Sequence, residues 1–289
     1  MDNPKIRDVL KELGLSPARS RGQNFLKDDW LIQCLIKKIG HAAGSLTTNF
    51  LEIGPGLGAL TRPLLVAGAK IIAVELDRGL AKNLNRLIYE YPGQLTILNR
   101  NILTVDPAEL NITQVRLESE TPFFLFGNLP YNISSPSLFW FLRHRRYFSG
   151  AVFMLQQELA HRLSAPPGNR NYGRLTVALS LWSRVNQVMT VPPSAFYPQP
   201  KVKSVVVRLT PTPPTEEPPI TIEALGRFTL VAFGARRQTI LNNLARTYSR
   251  KRATQALAEL NLNPAARAET LPPTTLVALA LTLSNFSNP

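Results

Sequence analysis

The chain has 289 residues, with 33 Lys and Arg against 19 Asp and Glu, for a formal charge of +14. Hydrophobic residues make up 44% and charged residues 18%, which excludes a disordered polyelectrolyte. No apolar run approaches the ~20 residues of a membrane span. The opening residues mix Asp2, Asp8 and Glu12 with basic side chains, unlike an apolar leader. A single cysteine, Cys34, excludes a disulfide framework and a cysteine-cluster metal site. The expectation is a cytoplasmic protein whose positive charge attracts a polyanion, most simply nucleic acid.

Residues 1–27 are expected to form a basic arm, since Arg19, Arg21 and Lys27 follow Ser16 without an acid between them. Trp30, Leu31, Cys34 and Leu35 fall on a helical apolar pattern, which assigns Cys34 to a core. Residues 50–53 read as a buried strand, followed by a glycine-rich turn and a helix to about residue 67. Strands are expected at 70–75, 95–98, 123–126 and 151–155, with helices at 78–91 and 137–146. Residues 185–191 and 204–209 look like a closing β pair. Such alternation predicts an α/β domain over 28–209, its parallel sheet covered on both faces. Five of the ten residues in 210–219 are proline, which reads as a linker. The pattern over 220–289 is wholly helical, so a smaller all-α C-terminal domain is expected.

Two motifs carry chemistry. Leu51-Glu52-Ile53-Gly54-Pro55-Gly56-Leu57-Gly58 joins the first sheet strand to its helix. Gly54 and Gly56 leave room for a ligand beside the backbone. Glu75 ends the next strand, 21 residues after Gly54, where a carboxylate can accept from ribose hydroxyls. The spacing is not that of the dinucleotide fingerprint, and Glu52 would repel a pyrophosphate. A positively charged cofactor without phosphate, such as S-adenosylmethionine, suits it better. The second motif is Asn128-Leu129-Pro130-Tyr131 after an apolar strand. Pro130 holds Leu129 extended and turns its carbonyl outward. That carbonyl and the Asn128 amide oxygen form two adjacent acceptors for an exocyclic amino group, and Tyr131 offers a flat face to its base. Phe196 stands among Pro192, Pro193, Pro198 and Pro200. A stiff loop would expose it for stacking; core packing is the alternative.

With RGQNFL from Arg21, LEIGPGLGALT from Leu51, VELD from Val74 and NLPYNISSP from Asn128, the chain resembles the ribosomal RNA adenine N6-dimethyltransferases. NYGRL from Asn171, FYPQPKV from Phe196, RRQT from Arg236 and NNL from Asn242 extend the likeness over nearly the whole chain. It looks more like the bacterial small-subunit (16S) enzymes than other branches. The resemblance implies a Rossmann-like class I S-adenosylmethionine-dependent methyltransferase sheet. It implies that Asn24, Leu26, Gly54, Glu75, Asn101 and Asn128 line the cofactor site and that Tyr131 and Phe196 sandwich the target adenine. The implied reaction adds two methyl groups to N6 of each of two adjacent adenosines in a hairpin loop near the 3′ end of 16S rRNA, in the small ribosomal subunit or its precursor. Asn101 stands where the family usually has Asp, so the cofactor's amino group would meet an uncharged amide oxygen. Lys203 replaces a usual acid.

Arg143, Arg145 and Arg146 form one basic cluster, with Arg162, Arg170 and Arg174 further on, and Arg236, Arg237, Arg246, Arg250, Lys251 and Arg252 another. Arg236 and Arg250 lie fourteen apart, compatible with one helical face. These and the arm's Arg19 and Arg21 read as RNA phosphate contacts. His41, His144 and His161 have no ligand spacing, so no metal is expected, and a monomer is. Two other readings remain: a nucleic-acid-binding protein that keeps the fold without catalysis, and an adenine methyltransferase for DNA or large-subunit rRNA. Intact Glu75, Asn128 and Tyr131 weigh against the first. Leu129, where DNA enzymes usually have proline, weighs against a DNA substrate.

Overall fold

A computed structural model describes residues 6–17, 22–113 and 122–285. In chain order the elements begin with α1 (Ile6–Glu12), β1 (Phe25–Leu26), α2 (Asp29–Ala43), β2 (Asn49–Ile53), α3 (Thr61–Val66), β3 (Lys70–Val74) and α4 (Arg78–Glu90). They continue with β4 (Leu95–Leu98), α5 (Pro107–Thr113), β5 (Phe123–Asn128), α6 (Ser134–Arg143), β6 (Phe148–Gln156), α7 (Gln157–Leu163) and α8 (Arg174–Trp182). The last are β7 (Ser183–Val191), β8 (Phe196–Tyr197), β9 (Ser204–Pro211), α9 (Ile222–Ala232), α10 (Ile240–Leu244), α11 (Arg250–Glu259) and α12 (Pro273–Asn285). They form two compact units, Met1–Ala160 with Asn186–Pro211, and His161–Val185 with Thr212–Pro289.

The first unit is built on a seven-stranded sheet of order β4-β3-β2-β5-β6-β9-β7. Neighbours from β4 to β6 are parallel, and β9 runs antiparallel to β6. Continuous apolar runs explain the central strands. Phe50, Leu51 and Phe123 to Phe126 are all buried, so both faces are covered. Phe50 packs edge-on against Phe124 and Phe126, with ring centroids 6.0 and 5.6 Å apart. The chain places β3 and β4 on one side of β2 and β5 on the other. The crevice at such a switch point lies beyond the C-terminal ends of the strands, here Ile53 and Asn128. Gly127 lets those two tips approach, because a Cβ there would run into the Ile53 carbonyl oxygen.

Helix ends follow side-chain caps. Asp28 accepts from the Leu31 N–H to start α2, and Asp77 accepts from Gly79 and Leu80 to start α4. The helix expected at 137–146 begins at Ser134 instead. Pro136 falls in its first turn, where the missing N–H has no intrahelical partner to lose. Trp30 is 73% exposed and Cys34 only half-buried, so the core expectation for that helix face holds for Leu31 and Leu35 but not for these two.

The second unit is helical and takes more of the chain than 220–289. α8 buries Leu175, Val177, Ala178, Leu179 and Trp182 and meets α9 and α12. A helix apolar on so many sides needs neighbours all round, which a sheet edge does not supply. The Tyr172 hydroxyl donates to the Leu271 carbonyl at 2.9 Å, and the buried Asn243 amide donates to the carbonyls of Ala232 and Ala235 at 2.9 and 3.1 Å. The proline-rich stretch contributes less linker than expected. β9 extends through Pro211, and the boundary between the units falls after it.

Candidate active site

Beyond Ile53 the chain bends through Gly54 and Gly56, whose φ angles are 66° and 60°. That region strains any residue with a Cβ, and at Gly56 a Cβ would also press on the Phe25 ring. Glu75, just past β3, holds the bend: one carboxylate oxygen accepts from the Gly56 N–H at 3.1 Å and the other from the Asp77 N–H at 2.8 Å. Burial raises its pKa, while the backbone N–H groups pull it down. Each oxygen keeps a lone pair for a further donor.

Glu52 departs from its expected role. It lines the crevice but is only 2% exposed, and one of its oxygens accepts the Thr61 hydroxyl at 2.7 Å. Burial pushes its pKa up to about 8 against the pull of the Thr61 bond, with the Glu75 charge adding to the rise. At neutral pH it is mostly uncharged, so it does not repel a phosphate as the sequence suggested. The choice among cofactors rests on shape and on Glu75.

On the facing side, Asn128 ends β5. Its Nδ2 donates to the Asn24 backbone carbonyl at 2.9 Å, which fixes the amide orientation and leaves Oδ1 as an acceptor. The next residue is anchored by its N–H to the Met154 carbonyl at 3.2 Å. The Ser134 hydroxyl donates to the Pro130 carbonyl at 2.9 Å and lies 3.5 Å from that of Leu129. The Leu129 carbonyl therefore retains acceptor capacity beside Asn128. Tyr131 is half-buried, with its hydroxyl 3.5 Å from the Ser204 hydroxyl. Gly22, at φ 63°, lies against the Tyr131 backbone, so the arm and this loop form one wall.

The resulting cleft encloses about 1140 Å³, counting space open to solvent. It brings together Asn24, Leu26, Gly54, Gly56, Glu75, Asn101, Asn128, Leu129, Pro130 and Tyr131. Phe196 is not among its lining residues. That ring is 2% exposed and packs in the hydrophobic core, because β8 pairs with β1 and sets Phe196 opposite Leu26. The ring that was expected to be exposed for stacking is therefore covered by core neighbours in this structure. Asn101 lines the cleft, and its Oδ1 accepts the Leu103 N–H at 3.1 Å, which caps its own turn and leaves one lone pair on the oxygen. Leu76 and Ile102 also line the cleft and were missed. Leu76 follows the strand-end Glu75, a position past a strand tip where an apolar residue was a legible signal.

Among the basic residues, Arg143 and Arg146 are exposed near the end of α6, and Arg145 donates to the Leu142 carbonyl at 3.2 Å. In the helical unit Arg236 donates to the carbonyls of Arg170 and Tyr172 at 2.8 and 2.7 Å, so it braces the fold, while Arg237 is exposed. Arg236 and Arg250 do not share a helix face: α10 ends at Leu244 and Ser249 caps α11 afresh. Arg19 and Arg21 lie outside the described residues. No helix among the described residues is long and apolar enough to cross a membrane, and among them no three His, Cys, Asp or Glu side chains form a metal cluster.

Comparison with known proteins agrees with this geometry. The family model for ribosomal RNA adenine dimethylase matches residues 16–284. The ribosomal RNA small subunit methyltransferase A of Erwinia tasmaniensis is 42% identical over 255 residues, 88% of this chain and 89% of that protein. The protein of the same name from Hahella chejuensis is 40% identical over 88% of each. Among solved structures, a dimethyladenosine transferase from Plasmodium falciparum superposes with TM-score 0.71 at 27% identity, covering 90% of this chain and 98% of that one. The 23S rRNA methyltransferase ErmE gives 0.61 at 27% identity, covering 90% and 99%. The sheet is that of the class I S-adenosylmethionine-dependent methyltransferases. With the glycine bend, the strand-end Glu75 and the Asn-Leu-Pro-Tyr wall meeting in one cleft, and a family model spanning nearly the whole sequence, the chain belongs to the ribosomal RNA adenine dimethylase family.

Proposed function

We propose that the protein transfers methyl groups from S-adenosylmethionine to N6 of two adjacent adenosines in a hairpin loop near the 3′ end of 16S rRNA, giving N6,N6-dimethyladenosine during small-subunit biogenesis. The observation that carries this reading is the Asn128 amide. With Nδ2 held by Asn24, Oδ1 keeps its acceptor capacity at the strand tip, and the carbonyl of the next residue, Leu129, can supply the second acceptor.

The cofactor fits the residues present. Gly56, whose missing Cβ would press on the Phe25 ring, keeps the cleft lining open, Glu75 can accept from ribose hydroxyls, and Leu76 with Ile102 offers apolar surface to a flat base. When bound, it supplies a methyl group on a positively charged sulfur. The chain does the rest by positioning. The N6 lone pair of adenosine is delocalised into its ring and is a weak nucleophile. Oxygens accepting from both amino protons favour the pyramidal nitrogen that forms as it reacts, so these bonds strengthen toward the transition state. Tyr131 holds the base flat against the wall; a loop nucleotide can be splayed out for this at little cost. No covalent intermediate with the protein is needed.

Arg143, Arg145, Arg146 and Arg237 contact rRNA phosphates, with Arg236 positioning its neighbours and Arg19 and Arg21 contributing from the arm. The protein acts in the cytoplasm as a monomer on the small subunit or its precursor. The test is incubation with labelled S-adenosylmethionine and unmethylated small subunits, followed by mapping. Label on two adjacent adenosines of one 3′-terminal hairpin is expected; label elsewhere, or none, overturns the assignment.

A further inference from the structure

The solvent face of α2 has no part in the site described above. Of the three tryptophans in the chain, Trp140 and Trp182 are buried, while Trp30 is 73% exposed. A single exposed ring means little by itself; its neighbours give it direction. A helix turns by about 100° per residue, so Trp30, Cys34, Lys37 and His41 fall in one stripe about 60° wide, with Lys38 on its flank. Trp30, Lys37, Lys38 and His41 are exposed and Cys34 is half-buried. The stripe begins beside the cleft. Leu26 lines the cleft, the Lys27 N–H donates to the Ala195 carbonyl at 2.9 Å, and Asp28 caps α2, so Trp30 is held close to the lining.

Charge is graded along this face. Asp28 and Asp29 flank the Trp30 end and repel a phosphate. Lys37 and Lys38 lie about 10 Å further along the axis and attract one. Beyond them Arg208 donates to the Ala42 carbonyl at 3.4 Å and adds positive charge. A flat uncharged group suits the first end and an anion the second. We infer that this stripe binds a single-stranded stretch of the substrate rRNA beside the target hairpin, with Trp30 stacking on an unpaired base and Lys37 and Lys38 contacting phosphates of neighbouring nucleotides. The inference rests on the rRNA reading above. A protein docked through Trp30 would need an apolar surround, whereas Asp29 and Gln33 beside it are polar and exposed.

The experiment titrates the full chain with an RNA carrying the 3′-terminal hairpin and its flanking single strands, read by tryptophan fluorescence and by filter binding, with thermal melts confirming that each variant folds. Because the other two tryptophans are buried, quenching by a stacked base reports on Trp30. Strong quenching is expected in the wild type. Trp30→Phe should lose the signal and bind within about threefold, and Trp30→Ala should bind about tenfold more weakly. Lys37→Gln with Lys38→Gln should lower the log–log salt slope by about 0.7 for each single-strand phosphate that is no longer neutralised. If the wild type methylates small subunits but shows no quenching, and Trp30→Ala binds as tightly, the stripe loses its role while the proposed function stands. If Trp30→p-benzoylphenylalanine crosslinks to a ribosomal protein rather than to rRNA on intact subunits, the face belongs to a protein partner and the RNA assignment falls. If the wild type neither binds the RNA nor methylates subunits, both readings fall.

Discussion

The Asn128 side chain donates to the backbone carbonyl of Asn24 at 2.9 Å, across 104 residues of sequence. The bond joins the N-terminal arm to the tip of β5 and fixes which end of this cleft-lining amide is oxygen. Rotating that amide by half a turn would set its oxygen against a carbonyl oxygen, so one orientation is strongly preferred. The arm therefore shapes the wall to which we assign the methyl acceptor.

Asn128→Ala removes both the acceptor and the bond to the arm. Loss of one oriented transition-state acceptor is expected to lower kcat by at least about a hundredfold. RNA affinity, set by phosphate contacts, stays within about twofold. Single-turnover methylation beside a filter-binding titration checks both; retained turnover would falsify the role given to Asn128.

Glu75→Gln keeps the volume but replaces a charged acceptor by an amide with one acceptor oxygen. Cofactor affinity should fall by about five- to thirtyfold, equivalent to 1–2 kcal/mol, because a bond to a carboxylate is stronger than one to an amide. Isothermal calorimetry with S-adenosylhomocysteine reads this, and an unchanged dissociation constant removes Glu75 from the ligand contacts.

Glu52 makes the free protein's stability depend on pH. Its folded pKa, about 8, stands above the ordinary value of 4.5, so the folded state holds a proton that the unfolded state releases. Stability from this group is fully present below pH 4.5, declines as pH rises from 4.5 to about 8, and is flat above. Glu52→Gln, which still accepts from Thr61, should remove that decline and be more stable than the wild type at pH 9. Urea midpoints measured from pH 5 to pH 9 decide it; parallel curves for the two proteins count against a protonated Glu52.

Phe196 and Tyr131 should separate cleanly on substitution. Phe196→Ala empties a core site and is expected to cost about 3–5 kcal/mol of stability. Tyr131→Ala should change stability far less but weaken base capture by roughly 1–3 kcal/mol, the worth of one stacked base. Denaturation curves and kcat/KM for the two variants provide the check. A fully stable Phe196→Ala with impaired activity would restore the sandwich implied by the family resemblance.

Replacing Arg143 and Arg146 by Gln should flatten the salt dependence of RNA binding, lowering the log–log slope by about one for each phosphate that is no longer neutralised. Unchanged slopes would move the RNA path off the end of α6.

The parallel sheet was legible because its central strands are apolar on both faces: Phe50 and Leu51, and Phe123 to Phe126, admit no solvent-facing alternation. The glycine bend, Glu75 and the Asn128 loop were legible because each lies within a few residues of a strand end, where local pattern and site coincide. What escaped depends on partners distant in sequence. Four prolines around Phe196 suggest an exposed loop, yet a two-residue pairing with Phe25 and Leu26 draws the ring inward. Residues 161–185 read as part of the sheet domain because only packing against α9 and α12 reveals where α8 belongs. The Glu52 charge was misjudged because burial, which a sequence does not display, neutralises it.

Gly127 has a consequence reaching past its own strand. Adjacent parallel strands run about 4.8 Å apart, and the one carrying the glycine bend sits against the one carrying Asn128 with no room between them for even a methyl group at position 127. Alanine there would set its Cβ into the Ile53 carbonyl oxygen, so the two tips would have to move apart, which lengthens the gap a migrating carbon has to cross. The smallest possible change to this chain would then slow the chemistry without replacing any residue that lines the cleft.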